Sequence, residues 1–198
     1  MNRSFSVIDS AAAGRPRGDP SHAEFIELAL LAAKELTNAD GATLYLLNPA
    51  KNELRFEIFY NDALGTALGG TTGNPIVFAP LPLYDRSGRP NHDNVSTHVV
   101  LTGRSANIAD VYDSQRFDFS GPKAFDAETG YRSASFLTVP IRTPLGEVLG
   151  AMQLVNARRP SGKVAIFPQK ATTLVEALAA QVALALELRI FFSQASAA

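Results

Sequence analysis

An α+β sandwich built on a central antiparallel sheet of five or six strands is the fold class that this sequence predicts. Segments with helical periodicity stand near both ends of the chain, and strand-like segments joined by turn residues lie between them. The chain has 198 residues, and 46% of them are apolar, which is enough to build one buried core. We therefore expect the terminal helices to cover one face of the sheet and a ligand pocket to lie on the other.

The first predicted element follows a segment without any periodic pattern. Residues 1–20 mix Ser, Ala, Gly, Pro and Arg, which bury too little apolar surface to offset the entropy of ordering, so we expect a flexible N-terminal arm. From Ser21 onward the apolar residues recur at helical spacing, and the pattern ends near Asn38. Ser21 and Glu24 have the spacing of a capping box, which predicts that a helix begins there.

Two strands are predicted next, at residues 42–48 and 52–62, and the short turn between them makes the pair a hairpin. Residues 61–94 hold many Gly, Pro, Asn and Asp residues and are typical of a loop. Within that loop, residues 75–84 are apolar enough for an edge strand, where prolines are tolerated because they need not donate ladder bonds.

The second half of the chain predicts a short helix near residues 94–101 and three further strands. The first of these strands lies at 105–110, and the other two, at 135–141 and 147–155, form a pair through the turn between them. These strands complete the antiparallel sheet.

The last element is a long helix over about 168–192, which leaves a short tail at 193–198. Its apolar residues recur at alternating steps of four and three, which places them in a stripe along one side of the helix. Such a stripe either covers the sheet or contacts a second copy of the chain, and different faces of the helix can do both. The stripe consists of Leu174, Leu178, Gln181, Ala185, Leu188 and Phe192.

Composition excludes several classes of function. With 18 Lys and Arg against 19 Asp and Glu, the chain has no broad basic field for nucleic acid or an anionic membrane. The absence of Cys, 0 in the sequence, removes disulfides, thiolate metal sites and cysteine nucleophiles. No apolar run reaches the length of a membrane span and no signal core is present, so we expect a soluble, cytoplasmic protein.

The segment 120–133 carries the most informative pattern. Ser120 is suited to a helix N-cap, Pro122 to the first turn and Gly130 to the left-handed position after the last turn. A short helix at 121–129 would present free N–H groups and partial positive charge at its start, as sites for anionic ligands do. Polar side chains recur at three- and four-residue spacing along it and just beyond: Asp126, Thr129 and Ser133.

The order DxxTGYR, then PI, then LGxxQLxN resembles the GAF domain, and most nearly the cyclic-nucleotide type found beside bacterial cyclases, phosphodiesterases and phosphohydrolases. The resemblance covers about 24–189, and we assign the domain to 21–192. It implies that the ligand is contacted by the Asp and the Thr of the motif and by the hydroxyl four residues after the Thr. It also implies that the start of a helix lies below the base of the ligand, that an aromatic ring lies on the purine face, and that a polar residue of a strand completes the site. In this sequence these residues are Asp126, Thr129, Ser133, Val95, Ser96, Phe59 and Gln153.

The sequence departs from the family pattern at several positions. Tyr60 stands where an acidic residue is often found, and Gln153 replaces the strand acid of some relatives, which leaves the nucleotide undetermined. The family signature that begins NK and ends in an Asp-Glu pair keeps its Asn and Phe, but Ala157 and Ala171 replace its Lys and Asp. Because both partners of that salt bridge are lost together, the change is compatible with an intact fold and argues less well for ligand binding.

Other interpretations of the polar residues stay open. Asp126 and Thr129 are also what a helix end and loop need for local stability. Arg104, Arg116 and Arg132 could balance a phosphate, although single surface arginines are more often solvated or paired. The three histidines and the acids near Asp118 lack metal-site spacing, and no GxSxG, P-loop or HExxH motif is present. One GAF branch reduces methionine sulfoxide with cysteines, which this chain does not possess.

Two functions follow as hypotheses. The first is a non-catalytic sensory domain that binds a small molecule and signals through its terminal helices to an effector. The candidate ligand is a cyclic nucleotide, and no cofactor or metal is required. We expect the effector to be separate from this chain or truncated from it. The second is a ligand-free dimerisation or protein-interaction domain with a vestigial pocket. In both, we expect a homodimer through the terminal helices and no binding to nucleic acid or membrane. A catalytic role would need a partner for the lone carboxylates Asp126 or Glu128, and the sequence offers none.

Overall fold

The computed structural model describes residues 21–195, with side chains for 21–189. The expected arm at 1–20 lies outside the described residues. Of the expected tail at 193–198, residues 193–195 continue α4, and the rest lies outside the described residues. In chain order the elements are α1 (His22–Leu36), β1 (Ala39–Leu47), β2 (Glu53–Asn61), β3 (Thr66–Gly69), β4 (Leu81–Pro82), α2 (Val95–Thr102), β5 (Ala106–Ile108), α3 (Ser120–Thr129), β6 (Phe136–Arg142), β7 (Val148–Arg158), β8 (Val164–Ala165) and α4 (Gln169–Ala195).

One antiparallel sheet organises the fold, and its main path of six strands has the order β3-β2-β1-β7-β6-β5. Two strands of two residues each, β4 and β8, add to β2 and β7. The α+β class and the antiparallel sheet predicted from sequence are confirmed. The expected edge strand at 75–84 is reduced to β4, because prolines at 75, 80 and 82 interrupt the donors that a longer ladder needs.

The two terminal helices pack on each other and on the same face of the sheet. α1 begins with the predicted capping box, in which the Ser21 side chain accepts from the Glu24 N–H and the Glu24 carboxylate accepts from the Ser21 N–H. Beneath the helices lies a closely packed aliphatic core that includes Leu30, Leu154 and Val175, each fully buried. This face of the sheet is therefore the stable base of the fold.

The stripe expected on α4 divides into buried and exposed parts. Ala185 is buried in the aliphatic core, whereas Leu188 is 51% exposed and Gln181 faces solvent. The residues that α4 packs most deeply against the sheet lie on a neighbouring stripe, with Val175 and Val182 fully buried. The predicted stripe is thus offset by one residue from the stripe that covers the sheet, and the Phe192 side chain lies outside the described residues.

Within the described residues, α4 alone is long and apolar enough to cross a membrane by length and composition. Of that segment 44% is buried inside the protein, with one side against β6 and β7. This is the arrangement of a core helix, and it accounts for the apolar character of the segment without a membrane.

The altered family signature is packed as an apolar contact region. Ala157 on β7 and Ala171 on α4 are each 6% exposed and belong to the same aliphatic core. Asn156 is kept and has φ 61, and its side chain accepts from the N–H groups of Ala134 and Ser135. The joint loss of the two charged partners is thus compensated by burial of two methyl groups.

Candidate ligand-binding site

A cavity of about 320 Å³ lies on the sheet face opposite α1 and α4. Its floor is formed by β1, β2, β6 and β7, and its walls by the starts of α2 and α3 and by the loop around Phe78. The volume is at the lower end of the range for small-molecule sites in proteins. The sandwich therefore has one filled face and one face with room for a ligand.

Aromatic rings form much of the cavity wall. Phe78 contacts both Phe56 and Phe59, with ring centroids 5.0 Å apart in each pair. The Phe125 ring of α3 lies 6.1 Å from the Phe59 ring and 6.2 Å from the Phe78 ring. Tilted and edge-to-face pairs at these distances are favourable, so the four rings hold one another in place around the cavity.

A bulge in β2 places two of these rings on the same face. The β1–β2 register passes from Leu44 opposite Ile58 to Tyr45 opposite Phe56, which leaves Glu57 without a partner. Phe56 and Phe59 are three residues apart and would otherwise point to opposite faces of a regular strand. The extra residue reverses the alternation, and both rings line the cavity.

The polar part of the floor is a closed network around Gln153. The Gln153 Nε2 donates to the hydroxyls of Thr138 at 2.9 Å and Ser96 at 3.2 Å, and its Oε1 accepts from the Tyr45 hydroxyl at 3.2 Å. Burial raises the pKa of Tyr45 to about 12, so its phenol is neutral and can donate. Every member of the network is buried and uncharged, which gives the cavity a neutral hydrogen-bonding edge.

Two helix amino termini point toward the cavity, and a side chain accepts from at least one of the first N–H groups of each. The Asn94 side chain accepts from the N–H groups of Ser96 at 2.9 Å and Thr97 at 3.2 Å. At α3, the Asp118 carboxylate accepts from the Ser120 N–H at 2.8 Å and from its hydroxyl at 3.0 Å. These two bonds lower the pKa of Asp118, so its carboxylate is ionised at neutral pH.

The predicted cap at α3 is corrected by this geometry. Ser120 was expected to cap the helix, but the N-cap position is Phe119 and Ser120 is the first helical residue. Phe119 offers no side-chain cap, and Asp118, one residue earlier, accepts from the Ser120 N–H instead. The Gly130 prediction agrees with the structure, where Gly130 ends the helix at φ 71.

The structure brings most of the predicted ligand-binding residues together. Five of the seven predicted residues line the cavity. They lie on β2, at the start of α2, just before β6 and on β7: Phe59, Val95, Ser96, Ser133 and Gln153. Two predicted residues, Asp126 and Thr129, are absent from the cavity wall.

Asp126 is a structural residue instead of a cavity residue. Its carboxylate is 4% exposed and accepts from the Ser133 N–H at 2.7 Å, the Ser133 hydroxyl at 2.8 Å and the Tyr112 hydroxyl at 2.7 Å. We expected Asp126 to contact a ligand, but its turn of α3 faces the segment that leads into β6, and its carboxylate is bonded there. Asp126 therefore fastens α3 to the strand entry and to Tyr112.

Thr129 likewise lies away from the cavity. Its side chain is exposed and its hydroxyl donates to the Phe125 carbonyl one turn earlier at 2.7 Å. This is the usual local bond of a Thr near a helix end. The alternative interpretation, in which Asp126 and Thr129 stabilise the helix end and loop, describes both residues.

The arginines considered for a phosphate are also placed elsewhere. Arg132 lies over the Tyr112 ring at 4.0 Å and pairs with Asp110 at 3.1 Å. Arg116 lies over the Phe117 ring at 5.1 Å, and Arg104 lines a separate cleft beside α4. Among the described residues, Asp118 is the single ionised side chain of the cavity wall.

Several cavity residues were missed by sequence reasoning. Phe56 was missed because regular alternation places it on the other face, and Phe78 because it lies in a loop without a strand pattern. The signal that could have found Phe125 was its position next to Asp126, inside the motif already singled out.

A polar contact links the cavity region to the terminal helices. Tyr60 is among the residues around the cavity, and its hydroxyl donates to the Glu27 carboxylate of α1. The same carboxylate accepts from the Thr71 N–H at 2.6 Å, in the loop after β3. Burial and the Glu27 carboxylate raise the pKa of Tyr60, so the phenol stays protonated and keeps donating.

Comparison with known families gives a match over most of the chain. The family model described as GAF domain matches residues 21–186. Among curated proteins, the dual 3',5'-cyclic-AMP and -GMP phosphodiesterase 11 of Drosophila melanogaster is 36% identical over 62 residues. That match covers 31% of this chain and 4% of the fly protein, so the chain corresponds to a small part of a much longer relative.

Solved structures have the same fold. The GAF domain of a phosphoenolpyruvate-protein phosphotransferase from Coxiella burnetii has a TM-score of 0.65 at 15% identity, covering 89% of both chains. The second GAF domain of DevS from Mycobacterium smegmatis has a TM-score of 0.56 at 19% identity, covering 90% of this chain and 100% of that one. An enzyme is also similar: free methionine-R-sulfoxide reductase from Neisseria meningitidis, with a TM-score of 0.53 at 15% identity and coverages of 83% and 79%. At these identities the likeness concerns the fold alone.

Proposed function

Because this chain belongs to the GAF domain family, we propose that it is a non-catalytic sensory domain that binds a small molecule in the aromatic cavity. The cavity of about 320 Å³ on the open face of the sheet is the observation that carries the proposal. It has rigid aromatic walls and a buried hydrogen-bonding edge, the usual composition of a small-molecule site. The ligand, once bound, would act on an effector domain, in the cytoplasm.

The motifs similar to the cyclic-nucleotide branch make cyclic nucleotides the first ligands to test. The likeness to a cyclic-nucleotide phosphodiesterase over 62 residues supports the same choice. Of the residues that the family resemblance implies, Phe59, Val95 and Ser96 stand where a purine ring could lie on an aromatic face above a helix start. Asp126 and Thr129, in contrast, offer such a ligand no direct contact.

The signal would pass from the cavity to the terminal helices through β2. Phe59 lines the cavity, and the next residue, Tyr60, holds Glu27 of α1. A ligand that moves the Phe59 ring displaces this pair, and α1 packs directly on α4. The ligand can shift the helix pair only if the protein binds it more tightly with the helices in one position than in the other.

Isothermal titration with cyclic AMP, cyclic GMP and cyclic di-GMP tests the nucleotide version. If one of them binds, Phe59→Ala should abolish or greatly weaken the heat signal. Phe25→Ala is a matched control, because it makes the same change on α1, where Phe25 is 38% exposed and outside the cavity. Absence of heat from all three nucleotides would remove the nucleotide version, and native mass spectrometry of the purified protein would then look for another bound small molecule.

A second candidate function is dimerisation or protein interaction without a ligand. It is favoured by apolar side chains that remain exposed on the two terminal helices, Leu28 (55%) and Leu36 (65%) on α1 and Leu184 (40%) and Leu188 (51%) on α4. Exposed apolar patches of this kind are typical of interaction surfaces. Such a surface would make the homodimer that the sequence predicts.

Light scattering of Leu184→Glu and Leu188→Glu tests the dimer. Both variants should fold and should have half the mass of the wild-type dimer. Leu178 is unsuitable for this test because it packs against the aliphatic core, where a Glu would disrupt the fold. Val77→Glu is the control, since Val77 is 73% exposed in the loop between β3 and β4 and lies on neither terminal helix. A monomeric wild-type protein, or an unchanged mass in the variants, would contradict this interface.

A further inference from the structure

The charge of the cavity wall distinguishes between classes of ligand. Among the described residues, no Lys, Arg or His lines the cavity, and its one acidic side chain is Asp118. The nearby cations lie outside the wall: Arg132 and Lys123 are over the Tyr112 ring, and Arg116 is over the Phe117 ring. An anionic ligand would therefore leave water without gaining a cationic partner, which is costly.

The helix amino termini offer an anion little compensation. At α2, the Asn94 side chain already accepts from two of the first N–H groups. At α3, the Asp118 carboxylate accepts from the Ser120 N–H and Pro122 has no N–H to donate, which leaves the N–H of Gly121 in the first turn. A helix terminus binds an anion through several free N–H groups, and at α3 one of them is already bonded to a carboxylate of the chain itself.

The remaining wall fits an uncharged aromatic molecule. Four Phe rings provide faces and edges for stacking, and they are held in place by one another. The buried edge around Gln153 is neutral, because an amide and three hydroxyls form it. Tyr45 cannot ionise near neutral pH, since burial raises its pKa to about 12.

We infer that the ligand of this cavity is an uncharged, largely aromatic small molecule with one hydrogen-bonding edge, and that Asp118 excludes anions. The inference rests on the proposed function, since it names the ligand class of the same site. Asp118 acts by position: its ionised carboxylate lies on the cavity wall at the start of α3, close to where a ligand phosphate or carboxylate would seek the helix N–H groups. A cyclic nucleotide is then a poorer ligand than the corresponding nucleoside.

Two matched pairs of probes test the inference by isothermal titration at pH 7. Adenosine is compared with cyclic AMP, which adds an anionic phosphate group, and 2-naphthamide with 2-naphthoate, a pair that differs chiefly by one negative charge. We expect the neutral member to bind about tenfold or more tightly than the anion, a difference of about 1.4 kcal/mol. An anion that binds as tightly as its neutral partner would overturn the inference. So would a tenfold preference for the ammonium analogue 2-naphthylmethylamine.

Asp118→Asn shows whether Asp118 is the cause. Asn caps a helix about as well as Asp, so the variant should fold, and it should bind the two anions several-fold more tightly than the wild type does. Asp113→Asn is the matched control, an exposed carboxylate of the same segment that does not line the cavity. Equal selectivity in wild type and Asp118→Asn would refute the role of Asp118.

The same titrations separate this inference from the proposed function. If neutral and anionic probes bind equally and Phe59→Ala abolishes both, the cavity is a ligand site and only the charge selectivity is wrong. If no probe of either pair binds, the inference and the small-molecule function fail together, and the dimerisation function is favoured.

Discussion

The two faces of the sheet are built from alternating residues of the same strands, yet they differ in composition and packing. On β7, Met152 and Leu154 are fully buried in the aliphatic core beneath α1 and α4. Gln153 and Val155, on the same strand, face the cavity. The closed face holds mostly aliphatic side chains packed on one another, and the open face holds aromatic rings and a neutral polar network around a cavity. A strand can thus stabilise the fold through one face and bind a ligand through the other.

The helices on the two faces differ in the same way. α1 has 15 residues and α4 has 27, and both lie along the sheet and on each other. α2 has 8 residues and α3 has 10, and both direct their amino termini at the cavity. Long helices with broad apolar contacts give stability, whereas short helices held by a few polar bonds can adjust to a ligand.

The largest expected effect comes from a truncation on the closed face. Leu154→Ala should lower the free energy of unfolding by about 2–5 kcal/mol, because Leu154 is fully buried and the packed core cannot collapse around the void. Chemical denaturation measures the loss. Leu145→Ala, at a position 94% exposed, should change it by less than about 0.5 kcal/mol. A similar loss in both variants would contradict the closed face as the stable base.

Asp126→Ala should be the next most damaging change, although it lies on the side of the cavity. The substitution removes the acceptor of the Ser133 N–H, the Ser133 hydroxyl and the Tyr112 hydroxyl. Loss of buried bonds to a charged group costs about 1.5–3 kcal/mol. We expect that loss of stability in denaturation, with the preference between adenosine and cyclic AMP unchanged. Altered ligand preference at unchanged stability would place Asp126 in the site after all.

Truncation of a cavity ring should cost less than either. Phe78 is half-buried and already faces the empty volume, so Phe78→Ala should lower the free energy of unfolding by only about 1 kcal/mol. The same variant should weaken binding of 2-naphthamide, because Phe78 contacts the rings of Phe56 and Phe59. A loss of stability as large as that of Leu154→Ala would indicate that the open face is also a rigid core.

Acidification should have the smallest effect, and it should act through the open face. Burial first, and then the charges of His92 and Arg116, lower the pKa of His98 on α2. In the unfolded chain the pKa of a His side chain is about 6.5, so below that pH the unfolded chain binds more protons than the folded chain does. The free energy of unfolding should therefore fall as the pH decreases below about 6.5. Denaturation at pH 7 and pH 5 measures this, and His98→Gln should reduce the difference. An equal difference in the variant would exclude His98 as its source.

Local patterns predicted the elements whose causes are local. The capping box at Ser21 and Glu24 marked the start of α1, and turn residues marked the hairpin of β1 and β2. The α3 helix was predicted from its ends, although Ser120 proved to be its first helical residue and not its cap. Such features depend on neighbours within a few residues, which a single sequence displays.

The rest depended on contacts distant in sequence. A bulge at Glu57 decides that Phe56 lines the cavity, and its position is visible only in the pairing with β1. Phe78 reaches the cavity from a loop, and Asp126 turns toward Ser133 instead of the ligand site. Which of several polar residues in a motif faces a cavity is decided by a helix rotation of a fraction of a turn, which periodicity does not resolve.

An NMR titration of the backbone amides with 2-naphthamide tests most directly whether the open face is a ligand site. We predict that the amide signals of Phe59, Ser96, Phe125 and Gln153 shift in a saturable manner, with smaller shifts reaching Glu27 on α1. No saturable shift, or shifts confined to the outer surfaces of α1 and α4, would contradict the division of the sheet into a stabilising face and a binding face.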